Sequence, residues 1–192
     1  ETFLYIGSKE LRIVSNAKNS SKFFYDQKKD IAVGENKFNL EILDNFLENN
    51  VIKIEKILGN FLNNIFIVID LDIFFSVKLS IKKKNYGKTI SLKDLKHLLN
   101  ESKEECKSTL QNKRIIHMII DKYQIDNNHY YDLPESLNCE YFSIDVRFIT
   151  LSENLVKNFE DILKKYHISL SKIICAEYMK EMSSIDEINF VD

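Results

Sequence analysis

Five consecutive apolar residues, Ile65-Phe66-Ile67-Val68-Ile69, constrain the fold more than any other feature of this sequence. A continuous β-branched run is the signature of a strand covered on both faces, which places it in the middle of a sheet. The residues before it are helical in spacing: Leu40, Leu43, Phe46, Leu47, Val51, Ile54, Ile57, Leu58 and Phe61 recur on one face of a long helix or of two joined helices. That stripe packs on the sheet. Upstream, Phe3 to Ile6 and Leu11 to Val14 are β-rich runs separated by Gly7-Ser8, and Lys22 to Tyr25 is a candidate third, which together predict a small antiparallel meander.

A second sub-domain is expected after the central strand. Phe75, Val77, Leu79 and Ile81 alternate with Ser76, Lys78, Ser80 and Lys82, so one face of this strand is buried and the other wet. Ser91 is placed to cap a helix carrying Leu92, Leu95, Leu98 and Leu99, with Asp94 as the capping-box acid, and the helix runs to about Gln111. Two long strands follow, Arg114 to Tyr123 and Glu140 to Thr150, joined by a loop from Tyr130 to Asn138 that holds the only proline, Pro134. Ser152 is the expected cap of a helix with Leu155, Val156, Phe159, Ile162 and Leu163 on one face. Ile173-Ile174-Cys175 and Ile188 to Val191 read as short strands. The chain starts at Glu1 without Met and stops inside that last apolar run, so the expectation is a fragment of a longer protein.

Composition narrows the class. At 192 residues the chain fits one large domain or two small ones, and one Pro with four Gly favours long regular elements over loops. A net charge of -2 supplies no overall field for nucleic acid or anionic lipid. Lys82, Lys83 and Lys84 form the one basic cluster, and a charge block of this kind is usually a solvated strand end or turn rather than a phosphate-binding patch. Cys106, Cys139 and Cys175 show no C-x-x-C pair and no zinc spacing, which fits reduced thiols in the cytoplasm.

Candidate chemistry is sparse. His117 sits among isoleucines without an acid or nucleophile beside it, so it reads as structural, and His97, His129 and His167 each stand alone. Asp70 and Asp72 close the central strand, a position where carboxylates hold Mg²⁺ in many α/β enzymes, but with no phosphate loop they read as a strand ending in water. Asp121 and Asp126 receive the same reading. No nucleophile elbow, zinc-protease, Walker or dinucleotide motif is present, so the residues name neither a catalytic set nor a metal site.

A collective pattern carries more. Ile116-His117-Met118-Ile119, Tyr123-Gln124-Ile125-Asp126, Pro134, Val146-Arg147-Phe148-Ile149-Thr150 and Glu153-Asn154-Leu155-Val156-Lys157 together resemble the inserted 1C subdomain of the bacterial cell-division family FtsA. In the same register, Phe3-Leu4-Tyr5-Ile6-Gly7-Ser8 resembles the first phosphate motif of the actin superfamily, normally Leu-Asp-Ile-Gly-Thr. Ser184 to Asp192 resembles the approach to the second.

The resemblance implies an α/β fold: a partial ribonuclease-H-like, actin-like 1A subdomain, residues 1–81 with 176–192, and a strand-helix-strand-strand 1C subdomain, residues 82–175. It implies a non-enzymatic scaffold on the inner membrane face that tethers FtsZ filaments, associates with itself and recruits later division proteins through 1C. The FtsZ-binding part and the membrane helix of the family lie outside this sequence. Gly7, Ser8 and Asp192 are the implied nucleotide contacts, with ATP as the cofactor of the full-length protein. Lys82, Lys83, Lys84, Pro134, Glu135 and Ser136 are the implied partner contacts. Tyr5 departs from the pattern, because a phenol cannot replace a carboxylate around a hard cation. Two other actin-like readings stay open: a pilus-assembly adaptor carrying a similar inserted module, and an ATPase or sugar kinase.

Overall fold

Local sequence sets the ends of the first helix before any packing does. In the computed structural model, which describes residues 1–17, 22–31, 39–134 and 137–181, helix α1 spans Leu40–Leu58. The Asn39 side chain accepts from the backbone N–H of Glu41 at 2.8 Å, and Gly59 at φ 67° closes the other end in the left-handed conformation that costs glycine least. The helix buries Leu43, Phe46, Leu47, Val51 and Ile54. It packs over strands β2 (Glu10–Asn16) and β3 (Phe23–Asp30). Asn50 is the polar residue on that face. Its amide donates to Phe46 O, and its Oδ1 accepts from the buried Tyr25 hydroxyl at 2.6 Å, so no buried polar group of the pair is left unmatched.

Strands β1 (Thr2–Gly7), β2 and β3 form the expected antiparallel meander. β1 also pairs in parallel with β4 (Asn64–Asp70), and β4 in parallel with β9 (Ser169–Cys175), giving the order β3-β2-β1-β4-β9. One face of this sheet is a closed core: Leu4, Ile6, Leu11, Ile13, Ile65, Ile67 and Ile69 are all buried. On the other face Phe3, Tyr5, Phe66 and Val68 are half-buried, with Phe3 and Phe66 stacked at 5.1 Å. β4 is thus interior as its composition predicts, while only one of its faces is fully covered by the described residues. Helix α3 (Glu153–Lys165) buries Val156, Phe159, Ile162 and Leu163. It is tied to α1 through Asp44, which meets Lys165 Nζ at 2.5 Å and Tyr166 Oη at 2.8 Å.

The second sheet is antiparallel throughout, in the order β5-β8-β6-β7, from β5 (Phe75–Thr89), β6 (Lys113–Ile125), β7 (Asn128–Tyr130) and β8 (Asn138–Ser152). Helix α2 (Leu92–Thr109) carries the capping box between Ser91 and Asp94 that the sequence predicts. Its Leu95, Leu98 and Cys106 pack with Phe142, Ile144, Val146 and Phe148 of β8. The element order is strand, helix, strand and strand, with the short β7 added. Tyr86 and Gly87, at φ 55° and 70°, form the irregularity that shifts the β5–β8 register between Lys84 and Lys88.

The chain divides into two compact units, Glu1–Ile73 with Asn154–Asp192, and Phe74–Glu153. The expected boundaries at 81/82 and 175/176 differ from these. β5 is one continuous strand from Phe75, so a cut at 82 would split it, and β9 adds to the first sheet by pairing Ile69 with Cys175. The expected Tyr130–Asn138 loop is shortened by β7, which turns back on β6 at Asp126 and pairs Ile125 with Asn128. Helix α3 starts where expected. Ser152 is the last residue of β8, and the Glu153 N–H donates to Asn112 O at 2.9 Å. The predicted strand at Ile188 to Val191 lies outside the described residues.

Candidate functional site

Parallel pairing of β1 and β4 brings the carboxyl ends of two strands together, with Gly7 in register with Asp70. In open α/β sheets this is the end where ligands bind. Ser8, in the turn that follows, is exposed, and Gly7 is buried. Tyr5 folds over the turn. A Cβ built on Gly7 would lie 2.8 Å from Tyr5 Cε1 and 3.0 Å from its hydroxyl oxygen, so the aromatic ring occupies the side-chain space of residue 7.

The Tyr5 hydroxyl donates to Asp70 Oδ2 at 2.8 Å. Lys180, in the helical residues 176–181, reaches the same carboxylate, at 3.0 Å from Oδ2 and 3.2 Å from Oδ1. Asp70 therefore does not end its strand in free water, and the sequence reading is corrected on this point. Its pKa is held below the ordinary carboxylate value, first by Lys180 and then by the Tyr5 hydroxyl. Burial first, and the hydrogen bond to Asp70 second, push the Tyr5 phenol up to about 12. Tyr5 is thus a neutral hydrogen-bond donor at any physiological pH. Asp72 is exposed.

The remaining predicted positions are scattered. Lys82 and Lys84 lie exposed on the open face of β5, Lys82 with its ammonium 4.2 Å from the Tyr141 ring centre. Lys83 points to the opposite face and pairs with Asp94 of α2 at 2.9 Å, so the basic run is divided between two faces of one strand. Pro134 is half-buried, and Glu135, Ser136 and Asp192 lie outside the described residues. His117 is buried on β6. Asp121 bridges Arg147 at 3.1 Å and Lys78 at 3.5 Å, and Asp126 accepts from the backbone N–H groups of Glu140 and Tyr141. Both aspartates serve the second sheet. Sequence reasoning missed Lys180, which stands 110 residues from Asp70 and carries no local signal. Among the described residues no group of three His, Cys, Asp or Glu side chains is placed to hold a metal ion.

The Mg²⁺-ATP that an actin-like fold implies does not fit the described part of this corner. Tyr5 offers no anionic oxygen, Asp70 is already matched by an ammonium, and the Gly7 side of the turn is covered by a ring.

No family model and no curated protein matches the sequence. Among solved structures, the chain is similar to one described as the "PilM-PilN type IV pilus biogenesis complex". The TM-score is 0.53 with 11% identity, over 90% of this chain and 46% of that one. A second is the cytoplasmic domain of EpsL, "an inner membrane component of the type II secretion system of Vibrio cholerae", at TM-score 0.40 and 8% identity, over 91% and 54%. The chain spans about half the length of the structures it matches. The first likeness shows the fold, mixed α/β and actin-like. FtsA in particular is not shown by these comparisons. No helix of the described residues is long and apolar enough to cross a membrane.

The pairing at Asp70 makes a pH prediction. Because its folded pKa is lowered, the stability it contributes is present above the unfolded value near pH 4 and is lost as pH falls through the folded value. Lys180 has a side chain 69% exposed, so the contribution is small, below about 1 kcal/mol. Lys180→Met is expected to lower the urea midpoint slightly at pH 7 and to match the parent at pH 2. A gap that persists undiminished at pH 2 would count against this pairing.

Proposed function

We propose that this chain is part of an actin-like adaptor, a protein-binding scaffold on the cytoplasmic face of a membrane assembly of the pilus-biogenesis kind, and not an enzyme. The observation that carries the reading is the fold shared over 90% of the chain with a component of the PilM-PilN complex. The adaptor's contact surface includes the open face of β5 around Lys82 and Lys84, where cations stand beside the exposed Tyr141.

A second reading has its own observation. The residues from Ile116 to Lys157 resemble the FtsA family, which would make the partners FtsZ and later division proteins, with self-association and a membrane helix outside this sequence. One experiment separates the two. Deletion of the gene is expected to abolish surface pili, or export through a related system, while cells divide normally. Undivided filaments with normal pili would overturn the pilus reading in favour of the cell-division one.

A further inference from the structure

We propose that the turn after β1 is filled by the chain's own side chains, Tyr5 over Gly7 and Lys180 on Asp70, and that the protein works without a bound nucleotide. The proposal rests on the adaptor reading only in saying what that adaptor does not need; the closure itself stands on the geometry of the first unit.

A turn that cradles phosphate must leave its N–H groups open to an anion, and a metal bound with the phosphate needs a free hard oxygen ligand. The metal requirement is met from within by Lys180 and the Tyr5 hydroxyl, and the Tyr5 ring crowds the turn on the side-chain side of residue 7. The Tyr5 ring lies so close that a Cβ on residue 7 would meet it at 2.8 Å, so a larger residue here has to displace the ring. The carboxylate at the end of β4 is engaged by the Tyr5 hydroxyl and by both contacts of Lys180. The Lys180 ammonium stands where a divalent cation would approach, and a metal would have to displace it against like-charge repulsion. Glu10, at the start of β2, is the other carboxylate near Tyr5, and it is bound to Lys28 at 2.7 Å. The result is a latch joining β1, β4 and the helical residues 176–181.

Two measurements test it on the full-length natural chain. Equilibrium dialysis against radiolabelled ATP with Mg²⁺ at millimolar concentration is expected to show no saturable binding. Saturable, Mg²⁺-dependent binding that Gly7→Ala abolishes would overturn the proposal, whatever the deletion phenotype shows. The second measurement is a thermal double-mutant cycle. Gly7→Ala is expected to lower Tm by several degrees when Tyr5 is present, and that loss should fall to roughly half or less in a Tyr5→Ala background, because the clash is with the ring. An equal loss in both backgrounds would refute the ring's role. Should Gly7→Ala alone fail to fold, recovery of folded protein in Tyr5→Ala/Gly7→Ala supports the latch, and failure of both variants refutes it.

Discussion

Replacing Phe148 by alanine is expected to remove about 3–5 kcal/mol from the unit Phe74–Glu153. Phe148 is 0% exposed and sits on β8, with Val77 of β5 on one side in register and Met118 of β6 on the other. Its ring belongs to the cluster that α2 covers with Leu95 and Leu98. Truncation leaves a cavity in the centre of a three-strand stretch that cannot collapse without shifting two ladders at once, which places the cost toward the upper part of that range. Small domains hold only about 5–15 kcal/mol in total, so the unit is expected to unfold under mild urea. Amide hydrogen exchange is the check. Protection should fall across β5, β6 and β8 and persist at Leu4 and Ile67 in the first sheet. Uniform loss in both units would mean that they do not unfold separately. Met118→Ala, at a side chain 40% exposed on the neighbouring strand, is the control and should be close to neutral.

The second unit was legible in the sequence because its signals are local. Period-two alternation in Phe75 to Lys82 and in Tyr141 to Phe148, with the Ser91/Asp94 box between, specifies two half-buried strands and a capped helix before any tertiary contact is known. β7 was missed because three residues carry too little pattern. Its signal was the Asp126-Asn127-Asn128 turn, in which Asp126 takes φ 49°, a conformation that Asp and Asn tolerate better than most.

The expected boundaries differ from the two compact units for a physical reason. Lys83 stands on the helix-facing side of β5, where its ammonium finds Asp94, so alternation blurs where the strand in fact continues. β9 joins the first unit through parallel pairing with β4 across about a hundred residues, and no local property of 169–175 encodes such a partner. Gly7 carries an ambiguous local signal. A glycine after a β-rich run suits a phosphate turn or an ordinary one, and the Tyr5 ring that lies against it is visible only in the coordinates.

Ile67→Ala is expected to cost about 2–5 kcal/mol and to reach the candidate site without touching it. Ile67 is 0% exposed at the middle of β4, in register with the buried Leu4 on β1 and Ile173 on β9, so it holds together the two parallel pairings of the first sheet. Three residues further along the same strand stands Asp70, and the Tyr5–Asp70 hydrogen bond spans the β1–β4 pairing that Ile67 anchors. Tyr5 supplies the readout. Its folded pKa of about 12 is raised above the ordinary phenol value of 10.0, so its stabilising effect is complete below pH 10 and lost as pH rises through 12. With a smaller stability reserve, Ile67→Ala should unfold at lower alkaline pH than the parent, followed by phenolate absorbance. Ile67→Val should move the same transition by a fraction of that, in line with its usual cost of about 0.5–1.5 kcal/mol. Adding Tyr5→Phe to Ile67→Ala removes this titration, and the alkaline midpoint should then rise relative to the urea stability of the variant. A midpoint that follows urea stability alone, with no dependence on the Tyr5 hydroxyl, would show that the phenol and Asp70 are not coupled in the folded protein.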